Sequence, residues 1–184
     1  IVDQSESIND VMVGRAKDSS PFIRYYHVTE FRGLPEARNF GVQHAQYAYI
    51  LFLDDDIECG NNLLKEHYKF LAQPDIAIVA GGCTEKFKKN PKSRNTGKFH
   101  FYKATPERGF HVKDKKYVDH GGGGNYSIRK DVFLKVGGVD EFLNYGSALY
   151  EETEICLRVK ALGYKVFYNY DAHVWHLAAD SGGC

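Results

Sequence analysis

A chain of 184 residues with 43% hydrophobic and 26% charged residues has the composition of an ordinary soluble globular protein and fits one compact domain. The formal net charge is zero, no signal peptide opens the chain, and no apolar run approaches the about 18 residues of a membrane span. The four cysteines form no CxxC pair, which argues against a zinc site or a disulfide framework and predicts reduced thiols in a cytoplasmic protein.

The first half of the chain alternates between predicted strands and helices. Aromatic and branched residues favour strands, and apolar residues at helical spacing favour helices. Before residue 85 these signals predict a strand end at 1–2, a weak helix at 8–13, strands at 22–28, 48–53 and 76–80, and helices from Pro35 to about Gln46 and at 63–71. Strands that alternate with helices through short connections predict an α/β sheet with mainly parallel strands.

The strand at 48–53 is the element on which the functional argument depends. Its short apolar run is typical of a strand that is buried on both faces of a sheet. The run stops at three consecutive carboxylates, Asp54, Asp55 and Asp56. Because like charges on consecutive residues repel, this cluster indicates a cation or a polar ligand, at the edge where open α/β sheets bind ligands.

The acidic cluster has three interpretations on chemistry alone. An EF-hand calcium loop requires glycine at its sixth position and glutamate at its twelfth, where this chain has Cys59 and Lys65, so that interpretation fails. A solvated turn with a helix-capping aspartate is the second. The third is a divalent cation shared between carboxylates and a diphosphate.

Residues 85–116 differ from the rest of the chain in charge and in pattern. They contain 11 Lys or Arg against 3 Asp or Glu, whereas the remainder has 13 basic and 21 acidic residues. No sustained period runs through them, so we expect a long basic loop or insertion within the domain. The alternatives are a solvated face, a cover over the active site, and a surface for peripheral membrane contact. Nucleic acid is not an expected partner, because no known reading motif accompanies the charge.

The second half of the chain adds a glycine run and further elements. The predicted elements are strands at 126–129, 164–168 and 172–175 and helices at 130–135 and 151–162. Gly121–Gly124 lacks the Gly-Lys-Ser or Gly-Lys-Thr ending of a P-loop, and no Gly-x-Gly-x-x-Gly fingerprint opens a helix. Nucleotide triphosphatase and dinucleotide-binding functions are therefore poorly supported.

Five motifs in order resemble glycosyltransferase family 2, which has the GT-A fold. They are Leu-Pro-Glu-Ala-Arg-Asn-Phe-Gly at 34–41 with Ile-Leu-Phe-Leu-Asp-Asp-Asp at 50–56, the Gly-Gly-Gly-Asn at 122–125, Val-Gly-Gly-Val-Asp-Glu at 136–141, Tyr-Glu-Glu-Thr-Glu at 150–154, and His176. The resemblance implies one GT-A domain over 1–184, with a Rossmann-like, mostly parallel sheet flanked by helices. It also implies that the first strand and helix of the domain are missing from the N-terminal end.

The resemblance implies a nucleotide-sugar donor, a divalent metal (Mn2+ or Mg2+) and transfer with inversion at the anomeric carbon. Carried over by position, Asp54 and Asp56 are the first and last residues of the Asp-x-Asp motif. Asp54 and Asp56 would bind the metal and His176 would complete the metal site, while Asp54 and Asp55 would also lie near the sugar and ribose. A metal-bridged diphosphate is a better leaving group because the cation neutralises the developing charge.

Glu152 matches the acidic residue that serves as catalytic base in the family, although the family commonly has Asp there. Inverting transfer needs a carboxylate on the acceptor side to take the hydroxyl proton. Glu151 is the second choice for this role. The alternative interpretation is that Glu151, Glu152 and Glu154 only favour the amino terminus of a helix by complementing its dipole.

The same resemblance assigns residues to the donor and acceptor pockets. Asp3 would help to hold the nucleoside, and Gln4 stands where a second acidic residue often contacts the base. Arg38 would contact donor phosphate, with a surface helix charge as the alternative. The predicted acceptor pocket is bordered by Gly122, Gly123 and Asn125, for which an ordinary flexible turn is the alternative.

We therefore predict a metal-dependent inverting hexosyltransferase that acts on a glycan or lipid-linked acceptor, as in surface polysaccharide or glycoconjugate synthesis. A location in the cytoplasm, at the inner face of a membrane, fits this prediction. A nucleotidyltransferase-like enzyme and a non-catalytic nucleotide-sugar-binding domain are the alternatives. Sugar transfer requires Glu152, whereas a binding domain tolerates its loss.

Overall fold

A computed structural model describes residues 1–19, 22–144 and 150–177 of the chain. Cys184 lies outside these ranges. The helices are α1 (Asp10–Asp18), α2 (Leu34–His44), α3 (Leu63–Leu71), α4 (Lys130–Lys135) and α5 (Glu151–Ala161). The strands are β1 (Val2–Asp3), β2 (Tyr26–His27), β3 (Tyr49–Leu53), β4 (Ile57–Cys59), β5 (Ile76–Glu85), β6 (Lys98–His100), β7 (Thr105–Glu107), β8 (Lys115–Val118), β9 (Asn125–Arg129) and β10 (Lys165–His176). No described helix is both long and apolar enough to cross a bilayer.

The main sheet has the strand order β3-β9-β5-β10-β4, and β8 also pairs with β10. Helices lie on both faces of this sheet, which confirms the predicted α/β class. The directions differ from the mostly parallel sheet that we expected. Among the described strands of the main sheet, only β5 and β10 pair in parallel, whereas β9 runs antiparallel to both β3 and β5. The reason is that β9 begins beside the carboxyl end of β3, where Asn125 pairs with Leu53, so it must run back along the sheet.

The core lies on the two faces of strands β5, β9 and β10. On one face the buried residues of α2, α4 and α5 pack against Ile78, Tyr126 and Ile128. On the other face Leu71 of α3 packs against Ile76 and Val79 of β5. The near-continuous apolar run of β5 is explained by burial on both sides, because every residue from Ile76 to Gly82 is buried.

Strand β3 is less buried than the sequence predicted. Tyr49 and Leu53 are 43% and 41% exposed, and the three residues between them are only partly buried. The predicted burial on both faces is therefore incomplete. Within the described chain, β3 stands at the end of the strand order and has β9 as its one sheet neighbour. Ile50 and Phe52 pack against one core cluster and Leu51 against another, but none of the three is fully covered.

Two other predictions change in extent. The strand expected at 22–28 shrinks to Tyr26–His27, which pairs with β1 in a separate two-stranded parallel sheet. The two strands expected near the C-terminal end form one strand, β10, with an irregular register between Asn169 and His173. An irregularity of this kind redirects side chains without ending a strand.

The basic segment at 85–116 is more ordered than the loop that we expected. Strands β6 and β7 form an antiparallel hairpin, and β8 begins before the segment ends. Glu107 holds the preceding turn to this hairpin, because its carboxylate accepts hydrogen bonds from the backbone N–H groups of Arg94 and Asn95. These bonds lower the pKa of Glu107 to about 2, with the Asn95 side-chain amide as the largest cause.

Candidate functional site

The ends of four strands meet at one edge of the main sheet. Strand β3 runs into Asp54, and β4 begins just after Asp56. Strand β10 ends at His176, which pairs with Glu85 of β5 on one side and with Ile57 of β4 on the other. The backbone N–H of Leu177 also donates to the carbonyl of Asp56 at 2.8 Å. Residues more than 110 positions apart are therefore fixed beside one another by backbone pairing.

Asp54, Asp56 and His176 form a group that could hold a metal ion. One ligand atom from each lies within 4.8 Å of the others, and all three residues are partly buried. The Nε2 atom of His176 is 3.2 Å from an oxygen of Asp56. Two carboxylates and one imidazole suit Mn2+ or another divalent first-row metal, and Mg2+ accepts the carboxylates. The residues present therefore fit the metal that the sequence predicted.

The acidic end of β3 is electrostatically unusual. Burial raises the pKa of the Asp54 carboxyl above its ordinary value, and the neighbouring Asp56 and Asp55 act in the same direction. Arg38 and His176 oppose this effect. A carboxyl whose pKa is raised by burial and like charges gains from a bound cation, since the cation favours the ionised form. Asp55 itself is exposed.

Glu85 belongs to the same cluster, although no sequence motif identified it. Its carboxylate lies 3.3 Å from the Nδ1 atom of His176, while the other ring nitrogen of His176 faces Asp56. The register of β5 and β10 makes Glu85 and His176 direct neighbours. A carboxylate on one ring nitrogen fixes the tautomer and orientation of a histidine whose other nitrogen can bind a metal.

The glycine run connects the acidic cluster to helix α5. A Cβ atom on Gly124 would lie 2.1 Å from an Asp54 carboxylate oxygen, so only glycine fits there without moving Asp54. A Cβ atom on Gly123 would lie 3.6 Å from the Glu152 carboxyl group. Consecutive glycines thus contact the two predicted functional carboxylates, one on each side of the run.

Glu152 lies in the first turn of α5 and is 4% exposed. Its carboxylate is 3.3 Å from the guanidinium of Arg108, whose side chain is 52% exposed. Arg108 lies just after β7, in the basic segment, and sequence reasoning did not select it. Only the tertiary fold shows that this one arginine among many basic residues faces the site.

Arg38 and Glu151 form a second ion pair behind the glycine run. The two residues are 7% and 1% exposed, and a guanidinium nitrogen of Arg38 also donates to the Gly123 carbonyl at 3.0 Å. The guanidinium packs over the rings of Phe52 and Tyr126, with distances of 5.4 and 5.6 Å to their centroids. Arg38 is thus not a surface helix charge, because its guanidinium lies buried between Glu151 and the Gly123 carbonyl. It fixes Glu151 and the glycine run.

The side chain of Asn125 also makes its hydrogen bonds within the protein. Its amide nitrogen donates to the carbonyls of Gly82 and Ala172 at 3.0 and 2.8 Å, and its oxygen accepts from His67 Nε2 at 2.9 Å. Since an amide oxygen only accepts, His67 carries its proton on Nε2, and burial lowers the pKa of this histidine. Asn125 therefore joins β9, β5, β10 and α3, and it borders the cleft without a free amide group.

Asp3 and Gln4 lie in the separate β1–β2 unit. Hydrogen bonds from the Ser5 hydroxyl and then from the Tyr25 hydroxyl lower the pKa of Asp3 to about 2. Gln4 accepts from the N–H of Gly33 at 3.2 Å, which fixes it at the start of α2. Both side chains make local contacts that order the loops around them.

An open cleft of about 280 Å³ lies between these groups. Its lining includes Asp54, His176, Arg108, Glu85 and the glycine run from Gly122 to Gly124. Gly122 and Gly123, which we predicted at the acceptor pocket, therefore border the same cleft as the candidate metal ligands. The predicted base Glu152 contacts Arg108 and the Gly123 position from the side of α5.

A sequence model described as "Glycosyl transferase family 2" matches residues 1–137. The chain belongs to glycosyl transferase family 2. The matched region includes the Asp54–Asp56 cluster and the glycine run, and it ends before Glu152 and His176. The assignment of these two residues to the family 2 site therefore depends on the geometry described above.

Known relatives of this family 2 chain are consistent with this assignment. The chain is 26% identical, over 154 residues, to a glucosyl-dolichyl phosphate glucuronosyltransferase of Haloferax volcanii. The alignment covers 80% of this chain and 48% of that protein. The chain thus spans about half the length of the curated relative that it matches.

Two solved structures share the fold of this family 2 chain. A mannosyltransferase, PcManGT from Pyrobaculum calidifontis in complex with GDP-Man and Mn2+, is 18% identical with a TM-score of 0.65, over 99% of this chain and 48% of that one. GalNAc-T7 with UDP, GalNAc and Mn2+ is 16% identical with a TM-score of 0.74, over 98% and 37%. The predicted GT-A fold is confirmed.

Proposed function

We propose that this chain transfers a sugar from a nucleoside diphosphate sugar to an acceptor hydroxyl, with inversion and with dependence on a divalent metal. One observation supports this proposal most directly. Asp54, Asp56 and His176 converge at the cleft, and Gly124 and Gly123 lie between Asp54 and the Glu152 carboxylate. Inverting transfer needs a base on the face of the sugar opposite the leaving group, and carboxylates on the two sides of the glycine run match this requirement.

In this proposal Asp54, Asp56 and His176 hold the metal, and Glu85 orients His176. A bound Mn2+ or Mg2+ supplies charge neutralisation for a diphosphate leaving group. The two solved relatives whose names include Mn2+ also include a nucleotide or nucleotide sugar, which supports the same pairing of ligands here. Glu85 has no counterpart in our sequence prediction and is assigned from its contact with His176 Nδ1.

Glu152 is the proposed base that takes the acceptor hydroxyl proton. Its carboxylate is nearly buried, yet its partner Arg108 is half-exposed in the cleft. The nearby glycines leave room for an acceptor hydroxyl to approach, because a side chain at Gly123 would contact this carboxyl group. Glu151 is less suited to the role, since it is 1% exposed and held by the buried Arg38.

The remaining assignments concern the substrates. Asp3, Gln4 and Asp55 would contact the nucleoside and sugar of the donor, and Gly122 and Gly123 would border the acceptor. Asn125 would position the glycine run. The name of the Haloferax volcanii relative includes a dolichyl phosphate, which favours a lipid-linked acceptor in glycoconjugate or surface polysaccharide synthesis. The active site would then work at the cytoplasmic face of a membrane.

The test compares Glu152→Gln with Glu154→Gln. Glu154 lies in the same helical turn but pairs with Arg158, so it provides a matched control. We expect Glu152→Gln to lower the rate of transfer by about 100-fold to 10,000-fold, the usual contribution of a general base. It should keep the thermal stabilisation that a nucleoside diphosphate sugar gives in the presence of Mn2+. Glu154→Gln should keep both.

The outcomes separate the candidate functions. Undiminished transfer by Glu152→Gln would exclude this residue as the base. A metal-dependent thermal shift with no transfer by the unmodified protein towards any hydroxyl acceptor would favour a nucleotide-sugar-binding domain. A panel of nucleoside diphosphates and their sugars, measured with and without Mn2+, identifies the nucleobase of the donor in the same experiment.

A further inference from the structure

The hairpin β6–β7 and the turn before it form a surface that the transfer reaction leaves unexplained. Residues 86–107, here called the basic hairpin, contain seven Lys or Arg and one acidic residue, Glu107. Three large aromatic residues point into solvent from it. Phe87 and Phe101 are 73% and 68% exposed, and Tyr102 at the hairpin tip is fully exposed. Exposed aromatic residues among cations are unusual on a surface that only faces water.

The basic hairpin is a built structure and not a loose tail. Glu107 at the end of β7 accepts hydrogen bonds from Ser93 Oγ, from the N–H groups of Arg94 and Asn95, and from the Asn95 amide. His100 of β6 lies 3.3 Å from the same carboxylate. The basic turn and the hairpin strands are thus joined around one carboxylate, which keeps their exposed side chains on a common unit.

Most of the cations on this surface have no protein counterion. Lys86 pairs with Glu58, and Lys98 pairs with Asp119. The other five basic residues make no salt bridge with any residue in the described ranges, namely Lys88, Lys89, Lys92, Arg94 and Lys103. A surface with several unpaired cations and protruding aromatic rings is complementary to a layer of anionic headgroups over hydrocarbon.

The chemistry of the tip favours a lipid surface over nucleic acid. Tyr and Phe at a narrow protruding turn can enter the headgroup region of a bilayer, where aromatic rings prefer to lie, while flanking lysines remain among the phosphates. Single-stranded nucleic acid is usually bound in a groove that follows its backbone. In the described hairpin, Phe101, Tyr102 and Lys103 are exposed in succession in the turn between β6 and β7.

The basic hairpin lies next to the cleft. Asn90 and Pro91 of the same segment line the cleft, and the Gly97 N–H donates to the Arg108 carbonyl at 2.8 Å. We infer that the basic hairpin docks the protein on an anionic bilayer and so presents the cleft to an acceptor that is anchored there. The presentation of the cleft to an acceptor rests on the proposed function, but binding to the bilayer can be measured without donor, metal or acceptor.

The experiment measures binding to vesicles of phosphatidylcholine with phosphatidylglycerol and to vesicles of phosphatidylcholine alone. We expect binding to the anionic vesicles that weakens as salt is raised. Phe101→Ser with Tyr102→Ser should weaken it about tenfold or more, because two exposed rings no longer bury apolar area. Lys88→Gln with Lys89→Gln should weaken it roughly fivefold per lysine.

Matched controls separate a docking surface from general electrostatics. Phe142→Ser removes an exposed ring outside the hairpin, and Lys17→Gln with Lys65→Gln removes the same net charge elsewhere. These variants should bind as the unmodified protein does. Equal losses in both lysine pairs, or full binding without the two tip rings, would overturn the proposal.

A second variant, which adds a fluorescence signal, keeps the proposal testable if Phe101→Ser with Tyr102→Ser folds poorly. Tyr102→Trp adds a second tryptophan to a chain that has one, so its fluorescence is read as the difference from the unmodified protein. On anionic vesicles the added fluorescence should shift to the blue and be quenched by brominated acyl chains. No quenching, or binding to single-stranded RNA without binding to vesicles, would contradict membrane docking. Transfer to a soluble hydroxyl acceptor that persists in either case shows that the proposed function stands separately from membrane docking.

Discussion

On the strand side of the cleft, Asp54, Asp56 and His176 are partly buried, and one ligand atom from each converges within 4.8 Å. On the helix side, Glu151 and Glu152 are buried and each faces one arginine. The strand side thus concentrates groups of a kind that bind a cation, whereas the helix side balances its carboxylates with protein cations. The difference shows how carboxylates beside one glycine run can have opposite electrostatic surroundings.

The two arginines on the helix side also differ from each other. Arg38 is buried with Glu151 beneath the glycine run, and the side chain of Arg108 is 52% exposed. An exposed arginine can leave its partner at little cost, whereas a buried one cannot. In the proposed function, Glu152 is therefore the carboxylate that can exchange its protein partner for an acceptor, whereas Glu151 stays bound to the buried Arg38.

The largest expected effect distinguishes these two arginines. Arg38→Met leaves the Glu151 carboxylate buried without its cation, so we expect unfolding free energy to fall by about 3–5 kcal/mol in urea denaturation. Arg108→Met should cost less, about 1–3 kcal/mol, because it also leaves a nearly buried carboxylate unpaired but water can enter where the half-exposed guanidinium stood. Replacing both Arg38 and Glu151 by Met should restore most of the loss. Equal losses for the two single variants would remove the distinction.

The next effect concerns the two consecutive glycines. Gly124→Ala places a Cβ atom 2.1 Å from an oxygen of Asp54, so this carboxylate must move away from its position beside Asp56 and His176. We expect Mn2+ affinity, followed through the electron paramagnetic resonance signal of the free ion, to fall about 100-fold. Gly123→Ala is the control, since its Cβ would meet Glu152 only at an ordinary contact distance of 3.6 Å. It should keep Mn2+ affinity. A similar loss of affinity in both variants would mean that the glycine run affects metal binding only by supporting the fold.

The smallest effect tests the orienting role of Glu85. Glu85→Ala removes the carboxylate that contacts His176 Nδ1. We expect Mn2+ affinity to fall about tenfold, which is the smaller loss typical of residues that orient a metal ligand without binding the metal. Glu85→Gln, whose amide can still bond the ring, should recover part of the loss. Glu58→Ala, an exposed acid on β4, controls for the change in net charge. If Glu58→Ala weakens binding as much, Glu85 acts through charge and not through the histidine.

Local patterns in the sequence predicted α2, β3, α3, β5 and α5 because periodicity and composition act over a few residues. The candidate metal group was also predicted, since the order of motifs identified Asp54, Asp56 and His176 together. These elements need no knowledge of which strands are neighbours. The same is true of Glu152, whose place at the start of a helix follows from its local sequence.

What the sequence missed depends on contacts between distant residues. Arg108 and Glu152 are 44 positions apart, and Glu85 and His176 are 91 apart. One basic residue among 11 in the segment cannot be distinguished until the hairpin places it in the cleft. The antiparallel direction of β9 could not be predicted either, because a short apolar run carries no information about strand direction.

The irregular register of β10 has a consequence for how the site is encoded. Gly81 pairs with Asn169, but the next residue, Gly82, pairs with His173, so β10 carries three extra residues before His176 reaches Glu85. Neighbouring residues of a strand face opposite sides of its sheet. Losing one of those three residues would therefore turn His176 away while leaving every site residue present in the sequence. The metal group is thus specified by the length of chain between its members as much as by their identity.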